Sequence, residues 1–149
     1  MNVLFVHEVD WSTKVVFDLH SLSELLSSFG HNVFVIDFKV ADNRKSLSLG
    51  SLRTEELKLA GRAHSDASIT LIRPGSFNAP FLDRASAFLT HYVAIEEAIK
   101  NNKIEIIVLY SVPTNGYQII RLARKYGIPI VFRSIDILHK LVRGRSRKD

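Results

Sequence analysis

Apolar and polar positions alternate along this chain in blocks that change period. NVLFVH (residues 2–7) is a short apolar run, the pattern of a strand buried on both faces. Val15, Val16, Leu19, Leu22, Leu26 and Phe29 then recur every three or four residues, one face of a helix. Ser12 or Thr13 is placed to cap its start, and Gly30 to close it in the left-handed conformation. HNVFVID (31–37) is a second strand, completing a βαβ unit whose crossover should be right-handed.

Residues 38–67 are polar and weakly periodic; within them Glu55 to Arg62 is read as a strand paired with the next, with a short helix as the alternative. SITLIRPG (68–75) is a clearer strand, stopped by Pro74 and Gly75. Asp83 caps an expected helix with a stripe of Phe88, Tyr92, Ile95 and Ile99, and IEIIVLYS (104–111) follows as a strand. A helix from near Thr114 should bury Ile119, Ile120, Ala123 and Tyr126 and end at Gly127. IPIVFR (128–133) is the last strand, before a short helix around Asp136 to Val142. This alternation predicts an α/β fold: an open, mostly parallel, Rossmann-like sheet of order 3-2-1-4-5, with a possible extra edge hairpin and helices on both faces. One domain spans residues 1–142, and 143–149 read as a basic tail or linker.

The net charge of +5 changes this picture little. Lys140, Arg143, Arg145, Arg147 and Lys148 against Asp149 place +4 in the last ten residues, leaving +1 for residues 1–139. Such a tail suits a solvated end, or peripheral contact with an anionic membrane face; no nucleic-acid partner is expected. There is no cysteine, which removes disulfides and thiolate chemistry and fits a cytoplasmic protein. No apolar run is long enough to span a bilayer, and the first residues read as a strand instead of a signal peptide.

Motifs are informative mainly by absence. HEVDWSTK, after the first strand, holds no glycine, so a G-x-G-x-x-G dinucleotide turn is missing. P-loop, H-E-x-x-H and G-x-S-x-G patterns are missing too, and the six histidines are scattered, so no metal site is expected. Glu97 and Glu105 stand in E-x7-E spacing, but one falls on a helix surface and the other opens a strand, which makes the match a coincidence. The remaining signal is positional. In open α/β sheets ligands bind beyond the carboxyl ends of the strands. That rim should hold His7 to Trp11, Tyr110 to Asn115, and Arg133 to Asp136.

Four stretches carry a resemblance: MNVLFVHEVDW, LSELLSSFGHNVFVID, HYVAIEEAIKNNKIEIIVLYS and RLARKYGIPIVFRSIDILHKL. Their order and style resemble the N-terminal domain of a family 4-type GT-B glycosyltransferase, with GHNVFVID and KYGIPIVFRSID the most specific parts. The resemblance implies the acceptor-binding half of an enzyme using a nucleotide-diphosphate sugar as co-substrate, probing a sugar, lipid-linked or polyol acceptor. It implies hexosyl transfer with retention, no metal or other cofactor, and a C-terminal Rossmann-like partner domain that would hold the donor; this chain by itself should be inactive. By position Asp136 matches an aspartate after strand five and is the one catalytic candidate, with Ile135 where the family commonly has histidine. Expected substrate-binding residues are Asp10, Trp11, Tyr110, Ser111, Asn115, Gly116, Arg133 and Asp136, with Trp11 offering a flat apolar face and Arg133 meeting a phosphate or carboxylate. The competing expectation is a stand-alone, non-catalytic α/β module that binds a small ligand or a protein. An acceptor half should leave Trp11 and the rim open beside an apolar patch, whereas a self-sufficient module should have the rim closed.

Overall fold

Five-residue apolar runs with no polar alternation need cover on both faces, and the computed structural model supplies it with a layered sheet. It describes residues 1–38, 53–77, 82–110 and 115–134. The strands are β1 (Asn2–Val6), β2 (Asn32–Ile36), β3 (Glu55–Ala60), β4 (Ser68–Arg73), β5 (Ile106–Tyr110) and β6 (Ile130–Arg133). The helices are α1 (Asp18–Ser28), α2 (Leu82–Asn101) and α3 (Gly116–Tyr126).

The sheet order is β3-β4-β2-β1-β5-β6. Its five parallel strands follow the expected 3-2-1-4-5 order, and the six-stranded order differs by the edge strand β3, antiparallel to β4. The stretch expected as a strand over residues 55–62 is one from Glu55 to Ala60, and Gly61 and Arg62 enter the turn to β4. Val3, Phe5, Val33, Val35, Ile69 and Leu71 pack one face against Leu19 of α1. Leu4, Val6, Ile36 and Ile72 pack the other against Ile95 and Ile99 of α2 and Leu122 of α3. Gly30 and Gly127 follow α1 and α3 with φ of 83° and 66°, a conformation that costs other residues a clash at Cβ.

Three helix details differ from the expected pattern. α1 starts at Asp18 because Asp10 already takes the amides of Ser12 and Thr13 into a turn, leaving Val15 83% exposed and Val16 exposed. Its inward face is Leu19, His20, Ser23 and Glu24, while Leu22 and Phe29 face water. Polar side chains displace leucines there because the β3–β4 turn provides partners. The Glu24 carboxylate accepts the amides of Arg62 (2.8 Å), Ala63 (2.6 Å) and His64 (2.8 Å). In α3, Ile119, Leu122 and Ala123 are buried and Ile120 is exposed; in α2, Ile95 and Ile99 are buried and Phe88 is exposed. Asp83, expected as a cap, falls inside α2, which begins at Leu82, and α3 starts at Gly116, close to the expected Thr114. The helix expected around Asp136 to Val142 and the tail 143–149 lie outside what the structure describes.

Candidate functional site

Each parallel strand delivers polar groups to the same rim, because the chain must leave the apolar sheet at its carboxyl end. Past β1, His7 and Asp10 are buried; past β2, Asp37 is buried. Arg73, the last residue of β4, joins them. Its Nε and Nη2 donate to Asp37 Oδ1 (3.0 Å) and Oδ2 (2.5 Å), and Nη2 also reaches Asp10 Oδ1 (3.3 Å). The backbone amide of Trp11 donates to Asp37 Oδ2 at 2.9 Å. Hydrogen bonds to Asp37, with its charge and that of Asp10, hold the Arg73 guanidinium above its ordinary pKa despite burial.

Trp11 is fully buried, its ring tilted against His20 with centroids 4.2 Å apart. The open flat face expected of it is not offered, because the loop from Asp10 to Lys14 is tied down from both sides. Arg62 donates to the carbonyl of Trp11 and, at 2.9 Å, to that of Lys14. His20 places Nε2 3.1 Å from the Trp11 carbonyl, and its Nδ1 faces the Phe17 amide at 3.4 Å. Asp10 is likewise spent on the amides of Ser12 and Thr13 and on Arg73.

The other half of the rim is arranged differently. The β1–β5 pairing aligns Val6 with Leu109, which sets His7 beside Tyr110 where the strand order reverses. His7 Nδ1 accepts the Val9 amide at 3.0 Å. Burial, helped by His20 and opposed by Asp10, pushes the His7 pKa down to about 3, so the ring is neutral and its proton sits on Nε2. That Nε2, Trp11 Nε1 and the Tyr110 hydroxyl are buried without a hydrogen-bond partner. Burial first, then Asp18, push the Tyr110 phenol up to about 12, so it keeps its proton. The hydroxyl is close enough to feel Asp18 and Arg133 but meets neither in hydrogen-bond geometry. Arg133, ending β6, is exposed and pairs with Asp18 at 3.1 Å.

Asn115 is the N-cap residue of α3 and Gly116 its first residue. The buried Asn115 side chain donates to the Phe88 carbonyl (3.1 Å) and to Gln118 Oε1 (2.6 Å), joining α3 to α2. Ser111 and Asp136 fall outside the described residues. The rim thus gathers Asp10, Trp11, Tyr110, Asn115, Gly116 and Arg133, with Asp10, Trp11 and Asn115 engaged inside the protein. Sequence reasoning passed over Asp37, Arg73 and His91. The available signal was a charged residue closing each of two neighbouring parallel strands, VFVID and ITLIR. His91 spans the carbonyls of Ala87 (2.8 Å) and Asp37 (3.1 Å) from α2, and burial lowers its pKa against the pull of those carbonyls.

Among the described residues there is no group of three or more metal-ligating side chains, and no helix is long and apolar enough to cross a membrane. The chain matches no protein-family model and no curated protein. The α/β Rossmann-like architecture is therefore established from the chain's own topology.

Proposed function

We propose that this chain is the acceptor-side half of a nucleotide-sugar-dependent glycosyltransferase of the GT-B type, with the acceptor seated where β1 and β5 diverge. The observation that carries this reading is the exposed apolar surface of the rim. Three of the four most exposed large apolar side chains among the described residues lie there: Val15, Leu89 and Tyr117. Val15 precedes α1 and Tyr117 is the second residue of α3. Leu89 follows Phe88, whose carbonyl takes the Asn115 side chain. Apolar groups on a rim that already holds unsatisfied donors suit a surface closed by a second domain and an acceptor. The two most specific stretches of the resemblance coincide with structure: GHNVFVID runs from the left-handed Gly30 through β2, and KYGIPIVFR from the end of α3 through β6.

In this reading the chain binds and orients the acceptor and supplies no clamp for the donor diphosphate. His7 Nε2–H and the Tyr110 hydroxyl are neutral donors that fit sugar or polyol oxygens, and the Asp18–Arg133 pair borders Tyr110. Bond making belongs to the assembled two-domain enzyme, which would work in the cytoplasm with residues 140–149 against an anionic membrane face. Amide chemical shifts provide the test. Titration with methyl glycosides and myo-inositol should move the resonances of Val9 to Thr13 and Asn115 to Tyr117, while UDP or GDP should not. Saturable binding of either nucleotide without sugar, or an unresponsive rim across the acceptor panel, overturns the proposal.

One observation favours the second reading, a stand-alone binding module: the closure of Asp10 and Asp37 by Arg73, with the Trp11 amide also held on Asp37. The mass of the endogenous protein on a denaturing blot separates the two. A species of 16.9 kDa supports the module, and one about twice that size supports the enzyme.

A further inference from the structure

Among the described residues, β3 pairs on one side only, with β4. Its other edge carries six residues of unbroken register, Glu55 to Ala60, with no proline, glycine or bulge to blunt it. Glu55, Glu56, Leu57, Lys58 and Ala60 are exposed, and among the described residues no helix covers this strand. Such an edge is a ready template for another strand.

The side chains select which strand fits. Glu56 and Lys58 share the sheet face of Thr70 and Ile72; Leu57, 41% exposed, lies on the opposite face with Leu71. Among the described residues neither Glu56 nor Lys58 makes an ion pair. Consider a second copy laid antiparallel along this edge, related by a two-fold axis perpendicular to the sheet. Opposed residues must then share a face, which leaves registers centred on Glu56, Leu57 or Lys58. Centring on Glu56 sets that carboxylate against its own copy, and centring on Lys58 opposes two ammonium groups. Centring on Leu57 sets Glu56 against Lys58 twice, once on each side of the axis, and brings the two Leu57 side chains together on the other face. Opposite charges directly across an antiparallel pair attract and like charges repel, so one register of three is selected.

We propose that β3 is a homodimerisation edge, two chains pairing through Glu55–Ala60 about a two-fold axis at Leu57. The sheet runs continuously from one protomer into the other. An open groove of about 600 Å³, lined by Asn32, Phe34, Glu56, Lys58, Ser68 and Thr70, lies over the sheet face that carries Glu56 and Lys58. A contact of one strand pair falls below the size of a permanent interface, so the dimer dissociates in the high micromolar range. The inference is independent of the glycosyltransferase reading, because it uses none of the rim residues.

Sedimentation velocity over about a hundredfold range of concentration should show a monomer–dimer equilibrium governed by mass action. Glu56→Lys or Lys58→Glu alone should weaken the dimer about tenfold or more, since each turns both attractive pairs into repulsive ones. The double variant, Glu56→Lys with Lys58→Glu, restores the pairing with the charges exchanged and should recover wild-type dimerisation. Far-UV circular dichroism checks that these exposed substitutions leave the fold unchanged. A monomer at every concentration, a dimer indifferent to the single reversals, or a double variant no better than the singles would each overturn the proposal.

Discussion

Two arginines end two strands of this sheet and lead different lives. Arg73, closing β4, grips Asp37 with two nitrogens and touches Asp10, almost out of water. Arg133, closing β6, meets Asp18 through one nitrogen in the open. The surroundings of each arginine account for the contrast. β4 lies against β2, with α1 over one face and the β3–β4 turn clamped by Glu24. β6 is the far edge of the sheet among the described residues, and its side chains from Val131 onward are exposed. Half of the rim is therefore built as core, with charges that hold the β1–α1 loop in place. At the β6 end the ion pair of Arg133 with Asp18 is left open to water.

The sharpest way to break this comparison is to substitute each arginine in turn. Arg73→Met strands two buried carboxylates and should cost about 3–5 kcal/mol in urea denaturation. Arg133→Ala should leave the denaturation midpoint unchanged within error, as exposed pairs contribute little. If the two losses were equal, the division of the rim would be wrong. Glu24→Ala comes next. It orphans the amides of Arg62, Ala63 and His64 and should cost about 2–3 kcal/mol, with faster hydrogen exchange at those three sites.

The pH dependence is smaller and has a definite sign. Burial lowers the pKa of His7, to about 3, and also those of His20 and His91. The unfolded chain, with ordinary histidines near 6.5, then binds more protons than the folded one. Stability is full above the unfolded value and is lost as pH falls from there towards the folded values. For His7 the loss at pH 5.5 is about 1.4 kcal/mol, and His20 and His91 add in the same direction. Thermal melts between pH 7.5 and 5 should show a falling midpoint, and His7→Gln should flatten the profile. The smallest effect expected is that of salt. High ionic strength should leave the Arg73 cluster intact and erase any influence of Arg133 on ligand binding.

The sheet was legible because its parallel strands are buried on both faces, and continuous apolar runs such as NVLFV and IIVLY have few other uses. Helix ends were legible where glycine must turn left-handed, at Gly30 and Gly127. Helix faces were less so. On α1 the period picks out leucines, yet His20 and Glu24 take the inward positions, because the turn that satisfies them lies about forty residues further along the chain. The site followed the same rule. That polar groups collect on one rim could be read from strand ends alone. Which of them are spent on each other depended on contacts between distant segments: Arg73 with Asp37, and Arg62 with the Trp11 carbonyl. Asp10 and Trp11 looked like ligand contacts for that reason and turned out to be engaged within the protein.

Trp11 is the only tryptophan, so all indole emission comes from the one loop joining the first strand to the first helix. Its ring is shielded from water and lies tilted against the His20 imidazole, whose pKa burial lowers. The molecule thereby carries an internal optical gauge. Blue-shifted light reports a sealed loop, and a red shift with dimming would mark the moment acid charges His20 and water reaches the indole.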